Sequence, residues 1–154
     1  MAPSRRPRPR LSVRVSTFFD TNVLVYAVDA SDPARQNIAI DRFARAARED
    51  DIVLSTQVLQ EFYAIVTRKL QPPLSAAEAA RQLEQLSAFE VLGASAQSVL
   101  AAAELARKHA LQWWDALILE AALRAKAAVL VTEDGQHGRR FGSLVIENPF
   151  LAAA

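Results

Sequence analysis

Beyond residue 14 the chain alternates between short β-branched or aromatic runs and longer Ala/Leu-rich stretches. That alternation restricts the fold more than any other feature. VSTFF (15–19) reads as a strand and ends in DTN, a helix-start signal. Ser31-Asp32-Pro33 opens a helix over 33–49, with proline at an early helical position. DIVLS (51–55) is a short apolar strand, and residues 56–70 form a helix stopped by Gln71-Pro72-Pro73. Ser75 caps the next helix, with Glu78 placed to complete a capping box. Phe89 to Leu92 is a weak strand, and 95–109 and 113–127 are helical. AVLVT (128–132) is a strand, DGQHG a turn, and SLVIE (143–147) a last strand. Strands separated by helices predict an α/β fold in three layers, a central parallel sheet of about five strands flanked by helices.

Composition closes off several chemistries. The 154 residues are 51% hydrophobic and 23% charged, enough for one globular domain with its own core. There is no cysteine, which excludes a thiol nucleophile, cysteine-ligated zinc and disulfides together. Two histidines, His109 and His137, argue against a histidine-rich zinc site. No apolar run approaches the ~18 residues of a membrane span, so no membrane role and a cytoplasmic location are expected. Five of the 18 basic side chains fall within residues 1–14, where there is no acid, leaving the remainder net acidic. This Pro/Arg-rich leader is expected to be disordered, with a basic arm on RNA phosphates as its functional reading. Residues 15–150 form the domain, and 151–154 a tail.

Within this frame four acids stand out: Asp20, Glu61, Asp115 and Asp134. In a doubly wound sheet, ligands bind beyond the carboxyl ends of the strands, at the switch point. Asp20 ends the first strand, and Asp134 lies just past AVLVT. Glu61 is six residues beyond Ser55, within about 9 Å of a strand end at ~1.5 Å per residue. Asp115 begins the helix that leads into AVLVT, and so starts at the same edge. Glu61 falls on the inward stripe with Val58 and Ile65, and Asp115 shares a face with Ile118, Leu119 and Ala122. Carboxylates there cost several kcal/mol if left buried and unpaired, and no Lys or Arg lies along either stripe. A shared Mg²⁺ or Mn²⁺ would supply the missing charge.

Each acid taken alone has a plainer reading. Asp20 and Asp115 could be helix caps, and Asp134 a turn residue. Glu61 has no comparable structural role. Asp20-Thr21-Asn22 also separates the site from a haloacid-dehalogenase phosphatase, whose chemistry needs an aspartate where Asn22 stands. A non-catalytic RNA- or partner-binding module is the other alternative.

FFDTNVLVYAVD, STQVLQEFYAIVTRK, WWDALILEAA and VLVTEDGQHGRRF followed by LVIENPF resemble a PIN-domain ribonuclease, most nearly the VapC-type toxin of toxin–antitoxin pairs. The resemblance runs from about Val15 to Phe150. It implies a metal-dependent endoribonuclease using Mg²⁺ or Mn²⁺, an RNA substrate, an antitoxin partner and a homodimer. It matches the acidic quartet to Asp20, Glu61, Asp115 and Asp134, all as metal ligands and catalytic groups. Asn22 and Thr132 would orient ligands or waters around them. Glu133 competes with Asp134; Asp134 is preferred because Glu133 would point to the opposite side. Arg139 and Arg140 are candidate RNA contacts, with Arg68 and Lys69 as weaker ones. His109 and His137 are weak candidates as general bases. Trp113 and Trp114 are expected to serve core or dimer packing before base stacking.

Overall fold

The computed structural model describes residues 14–151. The expectation for the leader falls outside the described residues apart from Arg14, as does that for residues 152–154. Six strands and six helices follow one another in the predicted alternation. Strand β1 (Ser16–Phe19) leads through α1 (Thr21–Tyr26) and α2 (Pro33–Glu49) into β2 (Asp51–Ser55). Helices α3 (Thr56–Arg68) and α4 (Ala76–Leu86) lead to β3 (Glu90–Leu92). Helices α5 (Ala96–His109) and α6 (Trp113–Arg124) lead to β4 (Val129–Val131), followed by β5 (Arg140–Phe141) and β6 (Leu144–Glu147).

The sheet order is β3-β2-β1-β4-β6-β5, parallel throughout except for β5, which runs antiparallel to β6. The chain steps one way from β1 to β2 and β3, then returns to place β4 on the other side of β1. The switch point therefore lies between β1 and β4, where the Asp20 amide donates to the Val131 carbonyl at 2.9 Å.

Register sorts the side chains by face. Phe19, Val131 and Glu147 are cross-strand neighbours, and so are Phe18, Leu130 and Ile146. The first row meets α2: Phe43 packs on Phe19 at 5.0 Å between ring centroids, and Arg42 reaches Glu147. The second row meets α6, whose Ile118 and Leu119 share a pocket with Leu130 and Ile146. Phe18, Phe19, Phe62, Leu54 and Val131 are fully buried between these layers. No helix among the described residues is long and apolar enough to cross a membrane.

Three local expectations need correction. The sixth strand, β5, joins β6 through the two-residue loop Gly142-Ser143. Gly142 has φ +60° and Ser143 is not among the positive-φ residues, the pattern of a type II′ hairpin turn. The box predicted at Ser75 is half made: the Ser75 hydroxyl accepts from the Glu78 amide, with no bond in return. The reciprocal box is at Ser95 and Ser98 instead. Of the core or dimer packing expected for Trp113 and Trp114, the core half does not hold: they are 37% and 58% exposed.

Candidate active site

Asp20 is the residue immediately after β1, where it caps α1. Its Oδ1 accepts from the Thr21 amide at 2.7 Å, and its Oδ2 from the Thr132 hydroxyl at 2.8 Å. The side chain is only 7% exposed. Burial raises its pKa from 3.8 to about 6, opposed by the Thr132 and Thr21 hydrogen bonds and reinforced by the negative charges of Asp134 and Glu61.

Thr132 ends the β4 segment and ties the two sides of the switch point together. It donates to Asp20 while its oxygen accepts from the Asp134 amide at 3.0 Å. Asn22, on the first turn of α1, spans the same gap. Its Nδ2 donates to Asp134 Oδ2 at 3.1 Å, and its Oδ1 accepts from the Glu133 amide at 3.3 Å. The chain beyond β4 is thus held in a conformation that sends two adjacent acids different ways. Asp134 lines the pocket with Asp20 and Asp115. Glu133 turns back to Arg35, whose Nε lies 3.4 Å away.

Asp115 lies in the first turn of α6, whose cap, Gln112, makes no side-chain hydrogen bond. Burial raises its pKa, and the charges of Asp134 and Glu61 raise it further. Glu61 stands beside the pocket rather than in its wall. Its Oε2 accepts from the Thr21 hydroxyl at 3.2 Å and its Oε1 from Gln57 at 2.6 Å. Gln57 also reaches the Trp114 carbonyl at 3.4 Å, linking α3 to the start of α6.

The pocket has a volume of about 70 Å³, room for a small ion with a water or two, and an apolar floor of Ile118, Leu119, Leu130 and Ile146. Arg139 joins its rim, stacked 4.6 Å over the Phe141 ring, while Arg140 is exposed on β5. His109 packs edge-on against Phe141 at 5.0 Å, and His137 accepts from the Asn148 amide. Neither imidazole lines this pocket. Sequence reasoning missed Thr21, Gln57 and Arg35. The signal for Gln57 was its position four residues before Glu61 on one helix.

The donor set suits a hard divalent cation. Among the described residues no Lys or Arg pairs with Asp20, Glu61, Asp115 or Asp134, whereas Glu133 and Glu147 each have an arginine. The charges of Asp134 and Glu61 raise the pKa of both Asp20 and Asp115, which places the four in one field. Their oxygens are not drawn together, for among the described residues no three acidic or histidine groups stand at metal-ligand spacing.

A family model described as PIN domain matches residues 17–140. No curated protein matches the sequence. Among solved structures, a toxin–antitoxin complex from Klebsiella pneumoniae is similar with TM-score 0.62 and 20% identity, covering 86% of this chain and 97% of that one. VapBC2 from Rickettsia felis, bound to a promoter DNA fragment, gives 0.60 and 23%, covering 86% and 98%. VapC20 from Mycobacterium tuberculosis, a sarcin–ricin loop cleaving toxin, gives 0.59 and 18%, covering 74% and 86%. At these identities the likeness is one of fold.

Proposed function

The chain belongs to the PIN-domain family, and from that premise we propose that it is a metal-dependent endoribonuclease acting as the toxin of a toxin–antitoxin pair. The observation that carries this reading is the gathering of Asp20, Asp115 and Asp134 on one pocket, with Glu61 beside it and, among the described residues, no Lys or Arg paired to any of them.

Asp20, Asp115 and Asp134 would hold Mg²⁺ or Mn²⁺, with Glu61 completing the set. The bound cation supplies a lowered pKa for an attacking water and charge relief for the phosphoryl oxygens. The protein's own groups do the positioning. Thr132 and Thr21 fix both oxygens of Asp20, so its carboxylate cannot rotate away. Asn22 holds Asp134, and Gln57 with Thr21 holds Glu61. Burial raises the pKa of Asp20 to about 6 and that of Asp115 in the same direction, a cost that a bound cation would offset. Arg139 at the rim offsets the repulsion between an acidic pocket and an RNA phosphate.

Incubation of the purified chain with RNA tests the reading. Cleavage should appear with Mg²⁺ or Mn²⁺ and vanish in EDTA; cleavage that persists in EDTA would sink the metal-dependent mechanism. Asp134→Asn should lower the rate by at least about tenfold, as removal of groups that tune a metal site does. Glu133→Gln should leave it within a factor of about five, the reach of an exposed ion pair worth ~1 kcal/mol. The reverse ranking would assign the fourth acid to Glu133.

The similar Klebsiella structure is a toxin–antitoxin complex, which supports an antitoxin as partner here. We propose in addition a homodimer and a cytoplasmic site of action. Expression should arrest growth, and co-expression of the antitoxin should relieve it.

A further inference from the structure

On the opposite face of the sheet from the acidic pocket, α2 presents a stripe of arginines to a second cavity. Arg42, Arg45 and Arg48 follow at i, i+3 and i+6, and all three line a space of about 590 Å³ together with His137, Glu147 and Asn148. Arg42 is only 8% exposed and is held by Glu147, with its Nε 2.5 Å from Oε2, and by the Phe19 ring at 5.7 Å. Its Nη1 is buried and has no hydrogen-bond partner, the one such side-chain atom among the described residues. A buried donor left unsatisfied is costly, the more so for a charged group, and an oxyanion in the cavity is the ligand whose charge would offset it.

The remaining groups fit the same ligand. Glu147 is neutralised by Arg42, and Arg45 lies a loose 3.9 Å from it. Arg48 has no ion pair among the described residues, so two guanidinium groups face the cavity against the single exposed charge of Asp41. The Asn148 amide donates to His137 Nδ1 at 3.0 Å, which leaves Nε2–H as the imidazole's donor. Planar guanidinium forks match phosphate oxygens bidentately. Position favours phosphate over a carboxylate ligand. Asp134 lines the acidic pocket and His137 the basic cavity, and three residues of chain separate their Cα atoms by at most about 11 Å.

We propose that this cavity is a phosphate subsite, which takes a backbone phosphate of single-stranded RNA a few nucleotides from the scissile bond. RNA as the source of the phosphate rests on the nuclease reading above; the oxyanion chemistry of the cavity does not.

The test is binding of fluorescein-labelled single-stranded RNA to the full chain in EDTA, over a salt series, with cleavage in Mg²⁺ measured separately. The variant is Arg45→Ala with Arg48→Ala, both exposed positions, leaving Arg42 in place. A control of equal charge change is Arg81→Ala with Arg107→Ala, on α4 and α5. The subsite double should bind about tenfold more weakly and lower the salt slope by about 0.7, the contribution of one single-strand phosphate. The control should match the parent. Affinity and slope equal to the parent's in the subsite double would overturn the subsite, even if the parent cleaves RNA. Equal losses in both doubles would also overturn it, showing only a general charge effect. A parent that binds through Arg45 and Arg48 yet cleaves nothing in Mg²⁺ would retain the subsite and reject the nuclease reading.

Discussion

Asp20→Asn should abolish metal-dependent RNA cleavage and at the same time stabilise the metal-free protein at neutral pH. The first effect follows from its place at the centre of the acidic pocket. A carboxylate supporting a metal ion is worth several kcal/mol of transition-state charge stabilisation. At 1.36 kcal/mol per tenfold, loss of about 3 kcal/mol slows the reaction by roughly a hundredfold or more.

The second effect follows from the raised pKa. The unfolded side chain releases its proton near 3.8, and the folded one near 6. The stability linked to Asp20 is therefore fully present below pH 3.8 and is lost as pH rises through 6. Above pH 7 the buried charge costs roughly 2–3 kcal/mol. Asparagine removes the charge and caps a helix about as well as aspartate. It gives up one accepted hydrogen bond, worth about 1 kcal/mol. The net gain of ~1–2 kcal/mol corresponds to a melting temperature higher by roughly 2–8 °C. Thermal melts in EDTA at pH 7.5 and pH 3.5 measure it, and the advantage should disappear at the lower pH. Mg²⁺ should raise the melting temperature of the parent protein but not of the variant. A variant less stable than its parent at pH 7.5 would contradict the cost assigned to the charge.

Arg42→Ala should destabilise the fold severely for a charged position. Truncation removes the guanidinium stacked on Phe19 and leaves Glu147, 27% exposed, with Arg45 as its only remaining arginine. Breaking a buried pair from one side costs about 3–5 kcal/mol. Partial solvation of Glu147 and the nearby Arg45 bring the expectation to roughly 2–4 kcal/mol. Urea denaturation of Arg42→Met, Glu147→Leu and the double variant resolves the pair. The double should lose less than the two singles added, because no uncompensated charge remains. A loss below about 1 kcal/mol on Arg42→Ala would show that the pair is solvated and marginal.

How much of this could be read from sequence depended on how local its cause was. Strand and helix alternation was legible because each element carries its own period, and Asp32 and Ser75 cap helices where the sequence placed their starts. Strand β5 was missed because two residues, one of them arginine, show no alternation; the signal lay in Gly142-Ser143 as a hairpin turn. The positions of Asp20, Glu61, Asp115 and Asp134 at one edge followed from topology alone. Glu133 was expected to point to the opposite side from Asp134, but the contacts that hold the two apart were not legible. They depend on Asn22, held 112 residues away in sequence from Asp134, and on Arg35 of α2, which draws Glu133 aside. The basic cavity was illegible for the same reason: Glu147 of β6, which completes it, lies 105 residues from Arg42 in sequence.

The two borders of the sheet bear on how the protein behaves at high concentration. One border is β3, three residues long, and the other is β5, two residues long and carrying Arg140. An open strand recruits neighbouring molecules through its unpaired amides and carbonyls, and a long, flat, apolar one does so most readily. Neither border offers more than three residues of ladder, and one is marked by a cation. Stacking of copies edge to edge into fibres is thus blocked at both ends of the sheet. A surplus of folded chains should therefore stay dispersed.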